Sequence, residues 1–237
     1  MEIKPRQAAL ILAWLFLTAA PPFVSHGTGE AAPSIENRSP PQTARPGKQV
    51  EKGVFLIADR RLLDPNFAET VVLITAHGTQ GSVGVVINRP TATPLARAFP
   101  TVKAFENRSE RLFIGGPVQR EVMIFLFRTD APPESSIPIF ERVYSAPIID
   151  TLSGLISRGR PNDRFRIYSG YAGWGPGQLE HEIDRGDWRL LPGEAERLFK
   201  DETDSIWEEL FRRSSQQSVK ACGRIDPCTA PIGPGLD

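Results

Sequence analysis

Few residues in this chain offer obvious chemistry, since it holds only three His and two Cys. His77 closes an apolar, β-branched run and precedes Gly78-Thr79-Gln80-Gly81, which reads as a hairpin-like loop. An imidazole at that place is a candidate general base or ligand contact, although a His at a strand end also commonly bonds loop backbone. Asn88-Arg89-Pro90 stops the next apolar run, and Arg89 could clamp a carboxylate or phosphate or close an internal ion pair. Gly115-Gly116-Pro117 ends a later run. It reads first as a turn, with its N–H groups as a possible anion nest. The segment Gly170-Tyr171-Ala172-Gly173-Trp174-Gly175-Pro176-Gly177 follows a predicted strand and opens a predicted helix over residues 177–185. Glycine loops in that setting cradle phosphate. Here Pro176 has no N–H, and Glu180, Glu182 and Asp184 follow at once, outweighing the half charge of a helix N-terminus. Two readings remain: a tight glycine turn that packs Tyr171 and Trp174, or a neutral or cationic ligand stacked on Trp174.

His77, Asn88, Arg89, Gly115, Gly116, Pro117, Tyr171, Trp174 and Gln178 therefore form the candidate ligand-contact set, with His77 the one candidate for catalysis. No metal site is expected. His181 has no second His four residues on, and its helical position turns it toward solvent. Neither a Gly-x-Ser-x-Gly elbow nor a Walker loop is present, and no cofactor is expected. Cys222 and Cys228 enclose a five-residue turn-forming spacer, which suits a local structural disulfide better than a redox-active pair. Such a bridge would constrain the unfolded tail by about 2 kcal/mol on the chain-entropy account.

Short apolar runs must position these residues. Strands are expected near residues 53–58, 70–76, 82–88, 111–114, 121–128, 137–144 and 164–169, and their near-continuous apolar character predicts a sheet buried on both faces. Asp64-Pro65 predicts a helical turn over residues 64–69. Helices are expected near residues 147–157, 177–185, 193–200 and 203–213. The fold class is mixed α/β, or α+β, in one domain over residues 51–213.

The ends differ from that domain. Of 22 prolines, 10 fall in residues 1–50 and 214–237, marking those stretches as non-globular. Residues 1–27 have a basic start (Lys4, Arg6) and a 13-residue apolar run from Ala8 to Ala20. At ~1.5 Å per residue that run reaches ~20 Å, short of a ~30 Å hydrocarbon core. It reads as a cleavable secretory signal, and no permanent membrane span is expected. Residues 28–50 read as a disordered Pro-rich linker, and residues 214–237 as a flexible tail carrying the two Cys. Export to the periplasm follows, with a cytoplasmic protein as the alternative if the start site is misassigned. The formal charge is zero, from 28 bases against 28 acids, and Tyr171–Leu210 carries 11 acids against 4 bases. No basic stripe is available for nucleic acid.

Five ordered motifs resemble the YqgE/AlgH family. These are Gly53-Val-Phe-Leu-Ile-Ala58 with Asp64-Pro65-Asn66-Phe67, then Gly81 to Pro90, Gly115-Gly116-Pro117-Val118, Gly170 to Glu180, and Gly186-Asp187-Trp188. The resemblance implies a compact domain with a strongly curved, partly barrel-like sheet surrounded by helices, of unassigned activity. Some members carry a transcriptional-regulator label. Thr75-Ala76-His77 stands where the family commonly has Cys-Glu-His, and Phe125-Leu126-Phe127 replaces Val-Leu-His, so thiol- or Glu-assisted chemistry is missing here. The expectation is a non-enzymatic regulatory domain. It would hold an unknown small ligand or protein partner in a groove between the Gly115–Pro117 turn, the His77 loop and the Tyr171–Gln178 loop. The alternatives are an enzyme, hydrolase-like or other, with His77 as base, and a transcriptional regulator by family label alone.

Overall fold

Successive residues of a strand face opposite sides of its sheet, and in this protein both sides are covered. The computed structural model describes residues 49–222. In strands β1 (Val54–Ala58) and β2 (Val71–Gly78), Phe55, Ile57, Val71 and Leu73 enter one core. Leu56, Ala58, Val72 and Ile74, the residues between them, enter another. That division is why the runs are apolar without interruption. A third cluster gathers Leu95, Phe105, Phe125, Phe127, Leu152 and Leu155 around Phe165 and Ile167.

The remaining strands are β3 (Gly81–Val86), β4 (Pro90–Pro94), β5 (Arg111–Ile114), β6 (Val118–Arg128), β7 (Ile137–Phe140), β8 (Val143–Ala146), β9 (Arg164–Trp174) and β10 (Trp188–Pro192). The main path runs β10-β1-β2-β3-β9-β6-β8-β7, with β5 joined in parallel to β9 and β4 antiparallel to β5. It curls into a largely antiparallel half-barrel with helices against it, so the domain is a single α+β unit, as the resemblance implied. The helices are α1 (Leu95–Ala98), α2 (Ile149–Arg158), α3 (Gln178–Arg185), α4 (Ala195–Leu198) and α5 (Ile206–Cys222). At the β7 edge, Pro138 pairs with Tyr144, and its carbonyl accepts a 2.8 Å bond from Lys52 Nζ.

Several elements differ from the sequence expectation. Gly170–Trp174 is not loop but the second half of β9, because Gly170 takes φ +71° and lets the strand bend onward. The helix expected over residues 193–200 shrinks to the single turn of α4. The one expected to end at residue 213 continues to Cys222. Residues 64–69 make a turn in which Asp64 O accepts from Phe67 N and Ala68 N. Val50, assigned to the linker, is 5% exposed and joins the second core. The signal, nearly all of the linker and Cys228 lie outside the described residues.

A buried carboxylate ties α5 to the sheet. Asp59 Oδ1 accepts from Arg61 N and Nε at 3.2 and 2.9 Å, and its Oδ2 from Arg189 Nε and Nη2 at 3.1 and 3.0 Å. Arg189 in turn donates to Ser215 Oγ at 2.7 Å and lies 4.1 Å over the Phe211 ring. Burial alone would raise the Asp59 pKa, but the bonds from Arg61 and then Arg189 outweigh it, and the net direction is down. A carboxylate depressed by folding contributes stability above its unfolded pKa of about 3.9, and that contribution drains as pH falls through the folded value. Thermal melts from neutral pH to about pH 2 should show Asp59→Asn destabilised at neutral pH and less acid-sensitive than the parent. An undiminished acid slope in that variant would contradict the assignment.

Candidate functional site

The Asp64-Pro65-Asn66-Phe67 turn is fixed by short-range bonds, with Asp64 Oδ1 accepting from Asn66 N at 2.8 Å. Arg89 donates to the carbonyls of Asn66 at 2.8 Å, Pro65 at 3.0 Å and Ala68 at 3.2 Å. It therefore closes this turn rather than the ion pair or ligand clamp expected of it. Burial lowers its pKa, as does nearby Arg120, against the pull of Asp64. Asn88 works beside it, accepting from Val71 N at 2.9 Å and donating to Glu69 O at 3.0 Å. The turn so held delivers Phe67 to the indoles of Trp174 and Trp188, at centroid distances of 6.2 and 5.6 Å.

Those two indoles converge on one carboxylate. Trp174 Nε1 and Trp188 Nε1 each donate to Glu182 Oε2 at 2.8 Å, while Gln178 Nε2 donates to Glu182 Oε1 at 3.0 Å. Gln178 Oε1 accepts from Gly175 N and closes the short loop before α3. Trp174 is only 6% exposed and belongs to the second core, so it offers no platform for a stacked ligand. The acidic α3 face that argued against phosphate has one of its carboxylates, Glu182, occupied in holding the aromatic cluster.

No groove separates the glycine motifs. A Cβ on Gly116 would stand 2.2 Å from both Tyr171 C and O, and one on Gly115 would stand 2.3 Å from Gly170 O. The two backbones touch. Gly115 N donates to Ser169 O, so the expected anion nest has already given up that donor, while Pro117 lies exposed beyond the contact. Tyr171 pairs with Val118 and packs on the first core.

His77 sits on β2 directly opposite Ser82 on β3, and Nδ1 meets Ser82 Oγ at 2.8 Å. Its Nε2 lies 3.8 Å from Glu180 Oε1 on α3. Serine, imidazole and carboxylate in a row have the order of a nucleophilic triad. Ser82, however, is only 3% exposed and held between β2 and β9. The chain of contacts joins the hairpin to α3. Phe127, at the position that lacks the family's His, is fully buried and stacks on Tyr144 at 5.8 Å.

A cleft of about 980 Å³ opens elsewhere, between the start of β9, β5 and the connection from α4 to α5. Along β9 it stands eight residues from Trp174, on the far side of the bend at Gly170. Phe113, Phe165 and Phe199 give its apolar lining, and Arg166 lies among them, 7% exposed. Arg166 Nη1 donates to Ile87 O at 3.3 Å, Nη2 donates to Lys200 O, and the guanidinium lies 4.4 Å over the Phe113 ring. It has no carboxylate partner among the described residues, and a guanidinium carries more N–H donors than two carbonyls absorb. Beside it, the buried Tyr168 hydroxyl lies against the Arg166 guanidinium without reaching full hydrogen-bond geometry. Burial pushes that phenol up to about 12, opposed by nearby Arg166. Around the mouth, Arg108 pairs with Glu110, whose carboxyl burial would raise but Arg108 draws below its ordinary value. Asp163, Asp201 and Asp204 line the cleft without ion pairs among the described residues.

The motif residues are engaged in contacts within the fold, while Arg166, which belongs to none of the motifs, is the buried cation of the cleft. Alternation offered a signal, since Arg166 shares a strand face with Tyr168 inside an apolar run. Glu182 was likewise legible only as one acid among three. Among the described residues, no group of three or more His, Cys, Asp or Glu could hold a metal ion. No described helix is long and apolar enough to cross a membrane.

The AlgH-like family profile matches residues 55–218. A UPF0301 protein from Chlorobium limicola is 36% identical over 170 residues, covering 71% of this chain and 86% of its own. Another from Methylococcus capsulatus is 34% identical over 170 residues, covering 68% and 90%. The solution structure of the AlgH protein from Pseudomonas aeruginosa has a TM-score of 0.57 at 27% identity, covering 76% of this chain and 98% of that one. A crystal structure from Corynebacterium diphtheriae has a TM-score of 0.62 at 21% identity, covering 72% and 90%, and that likeness concerns the fold alone.

Proposed function

The chain belongs to the AlgH-like family, and on that footing we propose that it is a non-enzymatic regulatory domain that binds a carboxylate-bearing ligand or partner in the cleft over Arg166. One observation carries the reading: a guanidinium 7% exposed in the cleft wall, with donors beyond its two carbonyl bonds and no carboxylate partner among the described residues. A buried charge without a counter-charge is costly, and a ligand carboxylate relieves it while taking a planar, two-pronged bond. The non-enzymatic part rests on the hydroxyl beside exposed His77: Ser82, which meets Nδ1 at 2.8 Å, is only 3% exposed and cannot reach a substrate.

Phenylacetate titrated into ¹⁵N-labelled protein tests this. Chemical-shift changes should map to Arg166, Phe113 and Phe165, and should vanish in Arg166→Met. Since that variant removes a buried side chain, Ser109→Trp provides a second obstruction from the exposed wall, leaving Arg166 in place. Both variants are first checked for a native-like spectrum. Absence of shifts at millimolar phenylacetate, or shifts that persist in Ser109→Trp, would overturn the reading.

A further inference from the structure

We infer that the occupant of this cleft is the free C-terminus of a peptide. Its terminal carboxylate lies on Arg166, an apolar last side chain against Phe113, Phe165 and Phe199, and Lys or Arg residues upstream at the acidic mouth. This rests on the cleft being the binding seat and adds the class of ligand. The charges are arranged in depth. Arg166 is the buried cation, whereas exposed Asp201 and Asp204 and half-buried Asp163 line the cleft without ion pairs among the described residues. Glu202 adds a further carboxylate, held 3.9 Å from Lys200, and Arg108 is engaged by Glu110. Arg164 is directed to the carbonyls of Pro161 and Asp163, leaving Arg111 as the remaining exposed cation of the lining.

A ligand that satisfies both zones carries its negative charge at the inner end and positive charge farther out. A free α-amino acid holds both charges on one carbon and cannot divide them between floor and mouth. The cleft's volume of about 980 Å³ is at the upper end for small-molecule sites and leaves room for several residues. A peptide terminus supplies the carboxylate, the apolar side chain and the separated cations in one chain. The Phe113 ring, 4.4 Å from the guanidinium, gives it an apolar neighbour, and the low local dielectric there strengthens its bond to carboxylate.

The test uses fluorescence anisotropy with an N-terminally labelled Lys-Lys-Ser-Gly-Val-Phe peptide and the full protein. Saturable binding is expected, weakened about tenfold or more by C-terminal amidation, which removes the charge-assisted pair. Replacing both lysines by glutamate should weaken it further, and Ser109→Trp should abolish it. The double variant Asp201→Asn, Asp204→Asn should weaken the peptide while leaving phenylacetate binding unchanged. Equal binding of acid and amide would overturn the inference, as would phenylacetate binding without peptide binding. Loss of both in the parent protein would remove the cleft reading as well.

Discussion

Gly116→Ala is expected to abolish the cooperative thermal transition, or to leave the protein insoluble. The added methyl would stand 2.2 Å from Tyr171 C and O and 2.5 Å from Ala172 N, all of them backbone atoms in the middle of the sheet. A flexible side chain could turn aside, but β9 cannot, because it also pairs with β3, β5 and β6. Overpacking against fixed backbone belongs to the mechanisms that cost about 4–5 kcal/mol or more, a large share of a domain's total stability. Gly154→Ala is the internal control. Gly154 lies inside α2, and a Cβ there meets nothing within 4 Å. Helix propensity alone should then stabilise the protein by roughly 0.5–1 kcal/mol. Calorimetry on both variants separates a general intolerance of substitution from this specific contact. A Gly116→Ala protein melting within a few degrees of the parent would refute the close approach.

Glu182→Ala should be the next most damaging change. It removes the shared acceptor of two indole N–H groups belonging to Trp174 and Trp188, which are 6% and 3% exposed. Each buried donor left without a partner costs roughly 1–3 kcal/mol, so a combined loss of about 3–5 kcal/mol is expected. For a domain of this size that corresponds to a fall in Tm of about 10 °C. Tryptophan emission should shift red as water reaches the indoles. Glu182→Gln keeps an amide oxygen for the indoles but turns an N–H₂ toward the Gln178 amide, so its loss should be smaller and its emission close to the parent. If the alanine variant matched the parent in Tm and emission, the two indole bonds would not be holding this cluster together.

Much of this architecture was readable before any coordinates. The uninterrupted apolar runs at Phe55–Ala58 and Val71–Ile74 predicted two covered faces, and adjacent residues do divide between two cores. The motifs were readable as places but not as tasks. Glycine announces a backbone that needs room, yet nothing local says whether the room is filled by a ligand or by another strand. For Gly115 and Gly116 it is filled by β9, whose relevant residues lie more than fifty positions away. The glycines within Gly170–Trp174 argued for a loop, and strand pairing on both sides overrode them. The polar run Ser214-Ser215-Gln216-Gln217 carries no apolar period that would extend α5 past residue 213. Ser214 and Ser215 instead return their hydroxyls to the Phe211 carbonyl and stay helical. Arg166 escaped notice for a related reason. Its surroundings come from Ile87, Phe113 and Lys200, three separate segments that no window of sequence joins.

Among the described residues the half-barrel does not close, and β7 is an outer strand that pairs with β8 alone. An approaching copy of the chain would need a continuous row of donors and acceptors there to extend the sheet. At Pro138 it finds no N–H to meet, and the carbonyl is already bonded to Lys52. The interruption falls within a strand of only four residues, Ile137–Phe140, so strand-by-strand growth into fibrils has no foothold at this margin. The incomplete barrel can remain open in crowded surroundings without seeding its own polymerisation there.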